Sequence, residues 1–332
     1  MEIAVVIVNY NTRDLLARCL ASLATTLLPE RARCRIVVVD NASTDGSAHL
    51  SLPPAVTLLP SPVNVGFTGG NNLALAALGF PVQPPRDVQD LATLLCPASP
   101  DYVLLLNPDT EVTPTALPRL VEFMQATPHA AVCGAALRYG DGTFQHAAFR
   151  FPGLLQVALD LFPLHGLPLA HRLYDSALNG RYPRRLWQGD TPFPVDFVLG
   201  AAMLLRGQAI HRIGGLDDDF FMYCEEMDWC LRCAEIGLGV YAHPGARVTH
   251  HEAQSSRQNR PLALARLWRS RYRFYAKYPR RYSAGFHLAL RALVRAAAAW
   301  RSRDARRRFA QGRITGHDAA QELAAYATLR TL

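Results

Sequence analysis

The first half of the chain alternates short, uninterrupted apolar runs with longer segments of helical periodicity. Four apolar runs predict β-strands, at residues 3–9, 35–40, 55–60 and 101–109. Runs such as "IAVVIVN" and "RIVVVD" are typical of strands buried on both faces of a parallel sheet. Apolar positions at helical spacing predict a helix at residues 12–28, and residues 64–78 are interpreted as a Gly/Asn loop that opens a second helix. The order of these elements predicts an α/β fold with parallel core strands.

The second half of the chain is less regular. Residues 195–206 return to strand character, and residues 237–252 indicate a short strand, a turn and a histidine-bearing loop. The Pro-rich residues 80–100 are typical of an insertion, and residues 138–195 show weak periodicity. Beyond Arg260 the pattern is helical to the end.

Length and cysteine content limit the class of protein. A chain of 332 residues is long enough for one large α/β domain with a helical appendage. It has no apolar run of roughly 18 residues, so we predict no transmembrane helix. The segment "MEIAVVIVNYN" lacks the features of a signal peptide. Seven cysteines without framework spacing, including the lone CxxC of Cys230 and Cys233, indicate buried or half-buried thiols in a cytoplasmic protein.

Positive charge is concentrated near the C-terminus. Residues 257–313 contain 17 basic residues and one acid, Asp304, whereas the whole chain has a net charge of +8. The rest of the chain therefore carries −8. Lys277 is the only lysine, so this charge is almost entirely arginine. We predict a domain over residues 1–256 and a basic helical region over residues 257–332, with an anionic partner for the basic region.

Polar segments follow the predicted strands, where ligands bind in parallel α/β sheets. They are "NYNT" (9–12), "DNASTDGS" (40–47), "NVGFTGGNN" (64–72) and "NPDTEV" (107–112). Glycine lets a backbone approach a ligand closely, and a helix N-terminus near Gly70 would favour phosphate. No GxGxxG follows the first strand and no GxxxxGK[ST] occurs. These absences disfavour a Rossmann dehydrogenase and a P-loop NTPase.

Two further features offer metal ligands. Asp109 ends a predicted strand, where a carboxylate beside diphosphate oxygens suits Mg²⁺ or Mn²⁺. The alternative is that Asp109 caps a helix beginning near Pro114. His250 and His251 are adjacent candidate ligands, although a single loop histidine is more often solvated.

Three carboxylates crowd the start of a predicted helix in "FFMYCEEMDWCLRCAEIG", residues 220–237. Glu225, Glu226 and Asp228 follow an aromatic run directly. Because a helix N-terminus favours negative charge, one or two of them need no further explanation. Three beside aromatic residues indicate that at least one serves chemistry, and the alternative for Glu226 is a purely structural cap.

Together these segments resemble a known enzyme family. "VVIVNYNTRDLL", "VVVDNASTDGS", "NVGFTGGNN", "LLLNPDTEV", "GAAMLLRGQAIHRIGGLDDDFFMYCEEMDWCLR" and "VTHHEAQSS" resemble, in order and spacing, the motifs of family-2 glycosyltransferases with the GT-A fold. The nearest branch resembles bacterial rhamnosyltransferases of cell-surface polysaccharide synthesis. The resemblance covers residues 3–256 and implies a mostly parallel central sheet flanked by helices, followed here by the basic helical extension. It also implies an acceptor-side role for residues 138–195.

The resemblance implies a set of residues for binding the nucleotide sugar. These are Val8, Asn9, Tyr10, Asp40, Asn41, Asn64, Gly66, Phe67, Gly70, Asn72, Asn107, Asp109, Gly200 and Ala201. Many GT-A enzymes carry a D-x-D metal motif where this chain has "NPD", so Asn107 replaces the first acid. Asp109 and His250 are then the implied ligands of a divalent cation, Mg²⁺ or Mn²⁺, with His251 as the alternative histidine.

The resemblance also implies a reaction. Glu226 takes the position of the catalytic base, Glu225 is the close second, and Asp228 has a supporting place. The implied reaction is a single in-line displacement with inversion, in which the base removes a proton from an acceptor hydroxyl. The leading donor is dTDP-rhamnose, with UDP- and GDP-sugars open, and the acceptor is a cell-surface glycan or a lipid-linked glycan. Alternatives are a nucleotidylyltransferase and a non-catalytic glycan-binding or scaffolding protein.

The basic region has three interpretations. Leu288, Leu290, Leu293, Val294 and Trp300 alternate with arginines as in an interfacial helix. Anionic lipids contribute about 1 kcal/mol per basic residue near a membrane surface. We therefore predict a peripheral protein on the inner face of the cell membrane. A solvated basic face on a packed helix is the alternative, and nothing in residues 1–256 favours nucleic-acid binding.

Overall fold

The computed structural model describes residues 1–28, 31–82, 99–162, 170–251 and 260–331. Most of the predicted insertion at residues 80–100 lies outside these residues, as do the predicted domain boundary at residue 256 and the end of the motif "VTHHEAQSS". The described residues form two compact units. The sheet unit lies within Met1–Phe151, Tyr182–Phe221 and Glu225–Ser255, and the helical unit lies within Pro152–Arg181, Met222–Cys224 and Ser256–Leu332.

The described strands all lie in the sheet unit. In chain order they are β1 Glu2–Asn9, β2 Arg33–Asn41, β3 Val56–Ser61, β4 Tyr102–Leu106, β5 Thr110–Val112, β6 Ala130–Arg138, β7 Phe144–Gln145, β8 Ala148–Phe149, β9 Phe193–Pro194, β10 Phe197–Val198, β11 Ala202–Arg206 and β12 Gly239–His250.

The main sheet has the order β3-β2-β1-β4-β11-β6-β12-β5. Strands β3, β2, β1 and β4 are mutually parallel, and β6 is parallel to β12. Strand β11 runs antiparallel between β4 and β6, and β5 runs antiparallel to β12 at the edge. Strands β8 and β10 form a separate antiparallel pair. The prediction of a mostly parallel α/β sheet is therefore confirmed.

The described helices are divided between the two units. In chain order they are α1 Arg13–Ala24, α2 Gly66–Ala77, α3 Ala116–Ala126, α4 Leu154–Leu161, α5 Ala170–Tyr174, α6 Gly207–Ile213, α7 Glu225–Glu235, α8 Arg260–Lys277, α9 Ala284–Ala310 and α10 Gly316–Thr331.

Helices cover both faces of the main sheet. Ala4, Val6 and Val8 of β1 belong to the core that includes α2 and α7, whereas alternate residues such as Ile3 and Ile7 pack with α1 and α3. This arrangement explains the continuous apolar runs, because each face of a strand is buried against helices. Burial of each large aliphatic side chain stabilises the fold by about 1.5–3 kcal/mol.

The helical unit is built from α4, α5, α8, α9 and α10. Helix α10 packs against α8 and α9, and α4 packs against α9. Leu290 and Val294 are fully buried, so they cannot belong to a membrane-facing surface of α9 as predicted. The exposed residues of α9 instead include a basic strip of Arg291, Arg295, Arg303 and Arg306, together with the apolar Leu288, Trp300 and Phe309.

Two local predictions and one alternative interpretation were wrong. Helix α2 begins at Gly66, so Gly70 lies in its second turn and not at its N-terminus. The segment predicted as a short strand, a turn and a loop is one strand, β12, which continues to His250 with a register irregularity between His243 and Arg247. Helix α3 begins at Ala116 after Thr115 in the N-cap position, so Asp109 is not its cap.

Two further findings concern membranes and thiols. Among the described residues, no helix combines the length and apolar character that crossing a bilayer requires. The described cysteines carry free thiols, and Cys230 and Cys233 are both buried in α7. Burial raises the pKa of the Cys233 thiol to about 12. The prediction of buried or half-buried thiols is therefore confirmed for these residues.

Candidate active site

A buried hydrogen-bonded network joins the carboxyl ends of β1 and β2. Asn9 Nδ2 donates to Asp40 Oδ1 at 3.0 Å and to Ser43 Oγ at 3.2 Å. Thr12 Oγ1 donates to Asn9 Oδ1 at 2.7 Å, and the Ser43 backbone N–H donates to Asp40 Oδ2 at 3.1 Å. Asn9 and Asp40 are buried. Because their polar groups satisfy one another, these two residues shape the edge of the sheet in a fixed geometry.

The loop after β1 is tied to the loop after β2. Asn11 adopts a left-handed backbone, with φ of 53°. Its N–H donates to Ser43 Oγ at 3.0 Å, and its Oδ1 accepts the Thr44 N–H at 2.7 Å. Tyr10, on the same loop, is 38% exposed. Of the residues predicted at this end of β1, Tyr10 is therefore the one most open to a ligand.

Asn41 connects β2 to the loop before α2. Its Nδ2 donates to Asn64 Oδ1 at 3.1 Å and to the Gly66 carbonyl at 3.0 Å, and its Oδ1 accepts the Val65 N–H at 2.9 Å. Gly66 has φ of 80°, and a Cβ there would overlap the Phe221 carbonyl. The Phe67 N–H donates to that carbonyl at 2.9 Å. The loop is thus joined to residue 221, four positions before Glu225.

Gly70 and Asn72 make contacts within the fold. A Cβ on Gly70 would lie 2.7 Å from Val8 Cγ1, so glycine permits close packing of α2 on β1. Asn72 Nδ2 donates to the Leu216 carbonyl at 2.7 Å and to Asp218 Oδ1 at 2.5 Å, and its Oδ1 accepts the Leu216 N–H at 2.9 Å. The structure therefore gives Asn72 a role in holding the turn before α7, and nucleotide binding by Gly70 or Asn72 stays a prediction.

Asp109 and His250 face each other at the end of the sheet. His250 Nε2 lies 3.4 Å from Asp109 Oδ1 and 3.5 Å from Asn107 Nδ2. On the other side of the ring, His250 Nδ1 lies 3.2 Å from Gln145 Oε1. The Asn107 N–H donates to the Ala201 carbonyl at 2.9 Å. This bond links the pair to the turn that contains Gly200.

His251 has different partners. Its Nε2 lies 2.7 Å from Glu111 Oε1 and 3.3 Å from Arg18 Nη2, and its backbone N–H donates to the Asp109 carbonyl at 2.8 Å. Although partial desolvation acts in the opposite direction, the His251 hydrogen bond and the charge of Arg18 lower the pKa of Glu111. The imidazole of His250 therefore lies against Asp109, and the imidazole of His251 lies in an ion-pair cluster.

Glu225 is buried and Glu226 is half-buried, and the Oε2 atom of each carboxylate is buried. Among the described residues, neither Oε2 atom has a hydrogen-bond partner. Burial, followed by the charge of Glu226, raises the pKa of Glu225 well above its ordinary value. Burial also raises the pKa of Glu226 to about 7, although hydrogen bonds from the N–H groups of Glu226 and Met227 act in the opposite direction. The N–H groups of the first turn therefore favour a charged Glu226, as a helix N-terminus does, but its Oε2 atom has no hydrogen-bond partner among the described residues.

Gly200 connects this acidic pair to the rest of the site. A Cβ on Gly200 would lie 3.7 Å from Glu226 Cβ and 3.8 Å from Phe67 Cε1. Gly200 therefore lies between the acidic helix α7 and the first turn of α2. Ala201, the next residue, is buried and accepts the hydrogen bond from Asn107. A continuous series of contacts thus runs from Glu226 to Asp109 and His250.

The start of α7 is held in place by neighbouring residues. Asp228 is completely buried, and its Oδ2 accepts from Arg232 Nε at 2.8 Å. Arg232 also donates to the Ile213 carbonyl at 2.7 Å and to the Gly215 carbonyl at 2.8 Å. This geometry agrees with a supporting place for Asp228, since the carboxylate orients the arginine that fixes the turn before α7.

Backbone strain precedes the acidic pair. Tyr223 and Cys224 both have φ of 70°, a left-handed conformation that costs non-glycine residues about 1–2 kcal/mol each. Such strained residues cluster at functional sites. Glu225 directly follows them in sequence.

Several site residues carried no recognisable signal in the sequence. Ser43 lies inside a quoted loop motif, but its contact with Asn9 depends on the pairing of β1 with β2. Gln145 lies in residues 138–195, where periodicity is weak. Phe221 contributes its backbone carbonyl, which any residue type would provide. The only sequence signal for this contact was therefore the glycine at position 66, which allows the carbonyl to lie close to its Cα.

A comparison with protein families shows which family the chain belongs to. The family described as "Glycosyltransferase like family 2" matches residues 1–273. The chain belongs to this family. It is therefore a glycosyltransferase, and the next comparisons support its rhamnosyltransferase-like branch.

Curated relatives of this glycosyltransferase include two rhamnosyltransferases. It is 30% identical over 309 residues to N-acetylglucosaminyl-diphospho-decaprenol L-rhamnosyltransferase of Mycobacterium tuberculosis, which covers 90% of this chain and 91% of the relative. It is 25% identical over 216 residues to Rhamnosyltransferase WbbL of Escherichia coli, which covers 64% of this chain and 70% of the relative.

A solved structure supports the fold. The mannosyltransferase PcManGT from Pyrobaculum calidifontis, in complex with GDP-Man and Mn²⁺, aligns with a TM-score of 0.55 at 16% identity, covering 99% of this chain and 86% of that one. The glycosyltransferase therefore has the GT-A fold, as the motif resemblance implied.

Two residues of this glycosyltransferase, Asp109 and His250, have the geometry of ligands to a divalent cation. Among the described residues, no group of three His, Cys, Asp or Glu side chains is arranged to hold a metal. Asp109 and His250 provide two ligand atoms 3.4 Å apart. Atoms that bind one cation at about 2.0–2.2 Å stand about 3.0–3.5 Å from each other. The pair fits a cation whose remaining ligands come from substrate or water.

Proposed function

We propose that this glycosyltransferase transfers a sugar, with inversion at the anomeric carbon, from a nucleotide donor to a hydroxyl group of a glycan or lipid-linked glycan. The observation that carries this proposal is the buried carboxylate pair of Glu225 and Glu226, which has an unpartnered oxygen on each member and lies beside Gly200. A buried carboxylate without a partner costs stability. Such a cost is understandable where the group must accept a proton from substrate.

Glu226 is the proposed base. Its carboxylate accepts the proton of the acceptor hydroxyl, and the hydroxyl oxygen forms the new bond to the anomeric carbon. The bond from that carbon to the diphosphate breaks on the opposite face, and its electron pair leaves with the nucleoside diphosphate. A pKa of about 7 suits this task, because a base works best when its pKa lies near the operating pH. Burial and the charge of Glu226 raise the pKa of Glu225, so a second negative charge on the pair is disfavoured.

The other end of the site is proposed to bind the donor. Asn9 and Asp40 form the rigid edge for the base and ribose, with Tyr10 exposed beside them. Asp109 and His250 would hold a divalent cation, Mg²⁺ or Mn²⁺, which would neutralise the diphosphate when bound. The mannosyltransferase with the same fold carries Mn²⁺ in its complex, which supports this assignment.

The leading donor is dTDP-rhamnose, and the leading acceptor is a lipid-linked glycan. The name of the Mycobacterium tuberculosis relative supports both, since it specifies an L-rhamnosyl group and a diphospho-decaprenol acceptor. The similarity extends over nine tenths of both chains. UDP- and GDP-sugars are the competing donors.

A transfer assay tests this function. Purified protein is incubated with dTDP-rhamnose, UDP-glucose or GDP-mannose, a synthetic lipid-diphosphate N-acetylglucosamine acceptor, and Mn²⁺ or Mg²⁺. We expect product only from dTDP-rhamnose, with the anomeric configuration opposite to that of the donor by NMR. Transfer from another donor would replace the donor assignment, and retained configuration would exclude the single displacement. Nucleotide binding without transfer to any acceptor would favour the non-catalytic alternative.

The basic strip of α9 is proposed to dock on the cytoplasmic face of the membrane. Arg291, Arg295, Arg303 and Arg306 are exposed along one side of the helix, with Leu288 73% exposed at one end. Sedimentation with vesicles of phosphatidylglycerol and phosphatidylcholine tests this. We expect binding that rises with the anionic fraction and falls with salt, and that is lost when the four arginines become glutamine. Equal binding of the quadruple variant would refute the docking role of this strip.

A further inference from the structure

A buried glutamine faces the histidine of the proposed cation site. Gln145 lies on β7, where it pairs with Leu137 of β6, and its side chain is buried. Its Oε1 lies 3.2 Å from His250 Nδ1, on the side of the ring opposite to Asp109. Gln145 therefore contacts the imidazole at the nitrogen that does not face the carboxylate.

The protonation of His250 decides whether it is able to bind a cation. A neutral imidazole carries one proton, and only the nitrogen without it has a lone pair for a metal. The nitrogen that faces Asp109 is Nε2, so metal binding requires the proton on Nδ1. A proton on Nε2 would instead be directed towards Asp109 and would close the site with a hydrogen bond.

We propose that Gln145 is a positioning residue that accepts the Nδ1 proton of His250 and thereby keeps the Nε2 lone pair directed towards Asp109. The amide oxygen faces Nδ1, so a proton there has an acceptor at 3.2 Å. Metal-binding histidines depend on such partners, and removal of the partner lowers metal affinity about 10–100-fold. Gln145 comes from residues 138–195, so this segment supports the donor side of the site as well as its predicted acceptor side.

The inference rests on the proposed cation site. The variants below distinguish a failure of that site from a failure of the role of Gln145. Gln145→Met keeps the length of the side chain but removes the amide acceptor. Gln145→Glu keeps an acceptor at the same place and has no donor when ionised. Gln125→Met, on an exposed position of α3, is the matched control. His250→Asn removes the ligand itself and tests the site.

The first measurement is Mn²⁺ binding, followed by loss of the free-ion EPR signal with Mn²⁺ as the only added ligand. We expect Gln145→Met to weaken binding about 10–100-fold and Gln145→Glu to stay within about threefold of wild type. Thermal unfolding of each variant checks that it is folded. If His250→Asn does not change Mn²⁺ binding, the cation site is wrong. If His250→Asn weakens binding and Gln145→Met does not, only the role of Gln145 is wrong.

The second measurement determines the tautomer of the His250 imidazole in the absence of metal. Protein labelled with ¹⁵N-histidine has 11 histidines, and the His250→Asn variant identifies the signal of interest. Long-range ¹H–¹⁵N correlation is expected to show His250 protonated on Nδ1 in wild type and in Gln145→Glu, and a mixture of tautomers in Gln145→Met. Protonation on Nε2 in the wild-type protein would overturn the proposal, because the lone pair would then face away from Asp109.

Discussion

Two polar regions of the sheet unit differ in whether their buried side-chain atoms have hydrogen-bond partners. At the ends of β1 and β2, Asn9, Asp40 and Asn41 are buried, and their side-chain groups bond to one another or to nearby backbone. At the start of α7, Glu225 and Glu226 each have one buried carboxyl oxygen, Oε2, that has no partner among the described residues. Both regions carry family motifs, so the motifs alone do not distinguish these two situations.

The difference separates residues that build a site from residues held ready for a substrate. A satisfied buried network is rigid and contributes to stability. An unpaired buried carboxylate destabilises the fold when it is charged. Because desolvation disfavours the charged form, the pKa of such a group is raised. We therefore expect substitutions in the first region to act mainly on folding, and substitutions in the second to act mainly on catalysis.

The largest expected effect is on the rate of sugar transfer. Glu226→Gln removes the proposed base without changing the size of the side chain, so we expect kcat to fall about 10²–10⁴-fold. Nucleotide affinity should change little, because the donor-binding residues are intact. Rates are measured in the transfer assay, and Glu235→Gln at the exposed end of α7 is the matched control. A larger loss for Glu225→Gln than for Glu226→Gln would move the base to Glu225.

The next effect is on stability in the satisfied region. Asn41→Leu removes three hydrogen bonds and leaves the Val65 N–H and the Gly66 carbonyl without that partner. We expect a loss of about 2–4 kcal/mol in the free energy of unfolding, measured by denaturant titration. Gln125→Leu, an exposed amide in the same unit, should change this free energy by less than about 0.5 kcal/mol. A loss below about 1 kcal/mol would mean that Asn41 is not part of a rigid network.

The sequence predicted the first region better than the second. The apolar runs set β1, β2 and β4, and the polar residues that follow each run were expected at one edge of the sheet. What the sequence did not provide was partner choice, since Asn9 meets Ser43 only after β1 and β2 pair in register. The start of α2 was misplaced because its N-cap residue is Val65, a residue type that does not cap helices. The contact of Gly66 with Phe221 depends on a distant part of the chain.

The acidic pair was found for its residue types, but its chemistry needed the structure. Three acids in the first turn of a helix are compatible with simple capping. Only burial of the carboxyl oxygens and the position of Gly200 beside Glu226 distinguish the pair from a cap. Gln145 was missed altogether, because a single glutamine in an irregular segment has no pattern.

The pH dependence of stability should distinguish the two regions. The folded-state pKa of Glu226 is about 7, above its ordinary value of 4.5. The unfolded state therefore releases this proton more readily, and the free energy of unfolding should decrease as pH rises from about 4.5 to 7. We expect Glu226→Gln to be more stable than wild type by about 1–3 kcal/mol at pH 8 and to differ little at pH 4.5. Denaturant titrations at both pH values measure this, and equal stability at pH 8 would contradict the raised pKa.

The smallest effect is expected in the cluster of Arg18, Glu111 and His251, which is polar and paired but lies near the surface. The side chain of Arg18 is 55% exposed, and its ion pair with Glu111 is accessible to solvent and salt. An exposed pair contributes about 0.2–1 kcal/mol, so Arg18→Gln should lower the free energy of unfolding by no more than that. The loss should shrink further in 1 M salt, where charges are screened within about 3 Å. Glu111 keeps its hydrogen bond to His251, and the His251 N–H keeps Asp109 in place. Mn²⁺ binding should therefore stay unchanged. A decrease above about 2 kcal/mol in the free energy of unfolding of Arg18→Gln would mean that this cluster behaves like the buried network at β1 and β2.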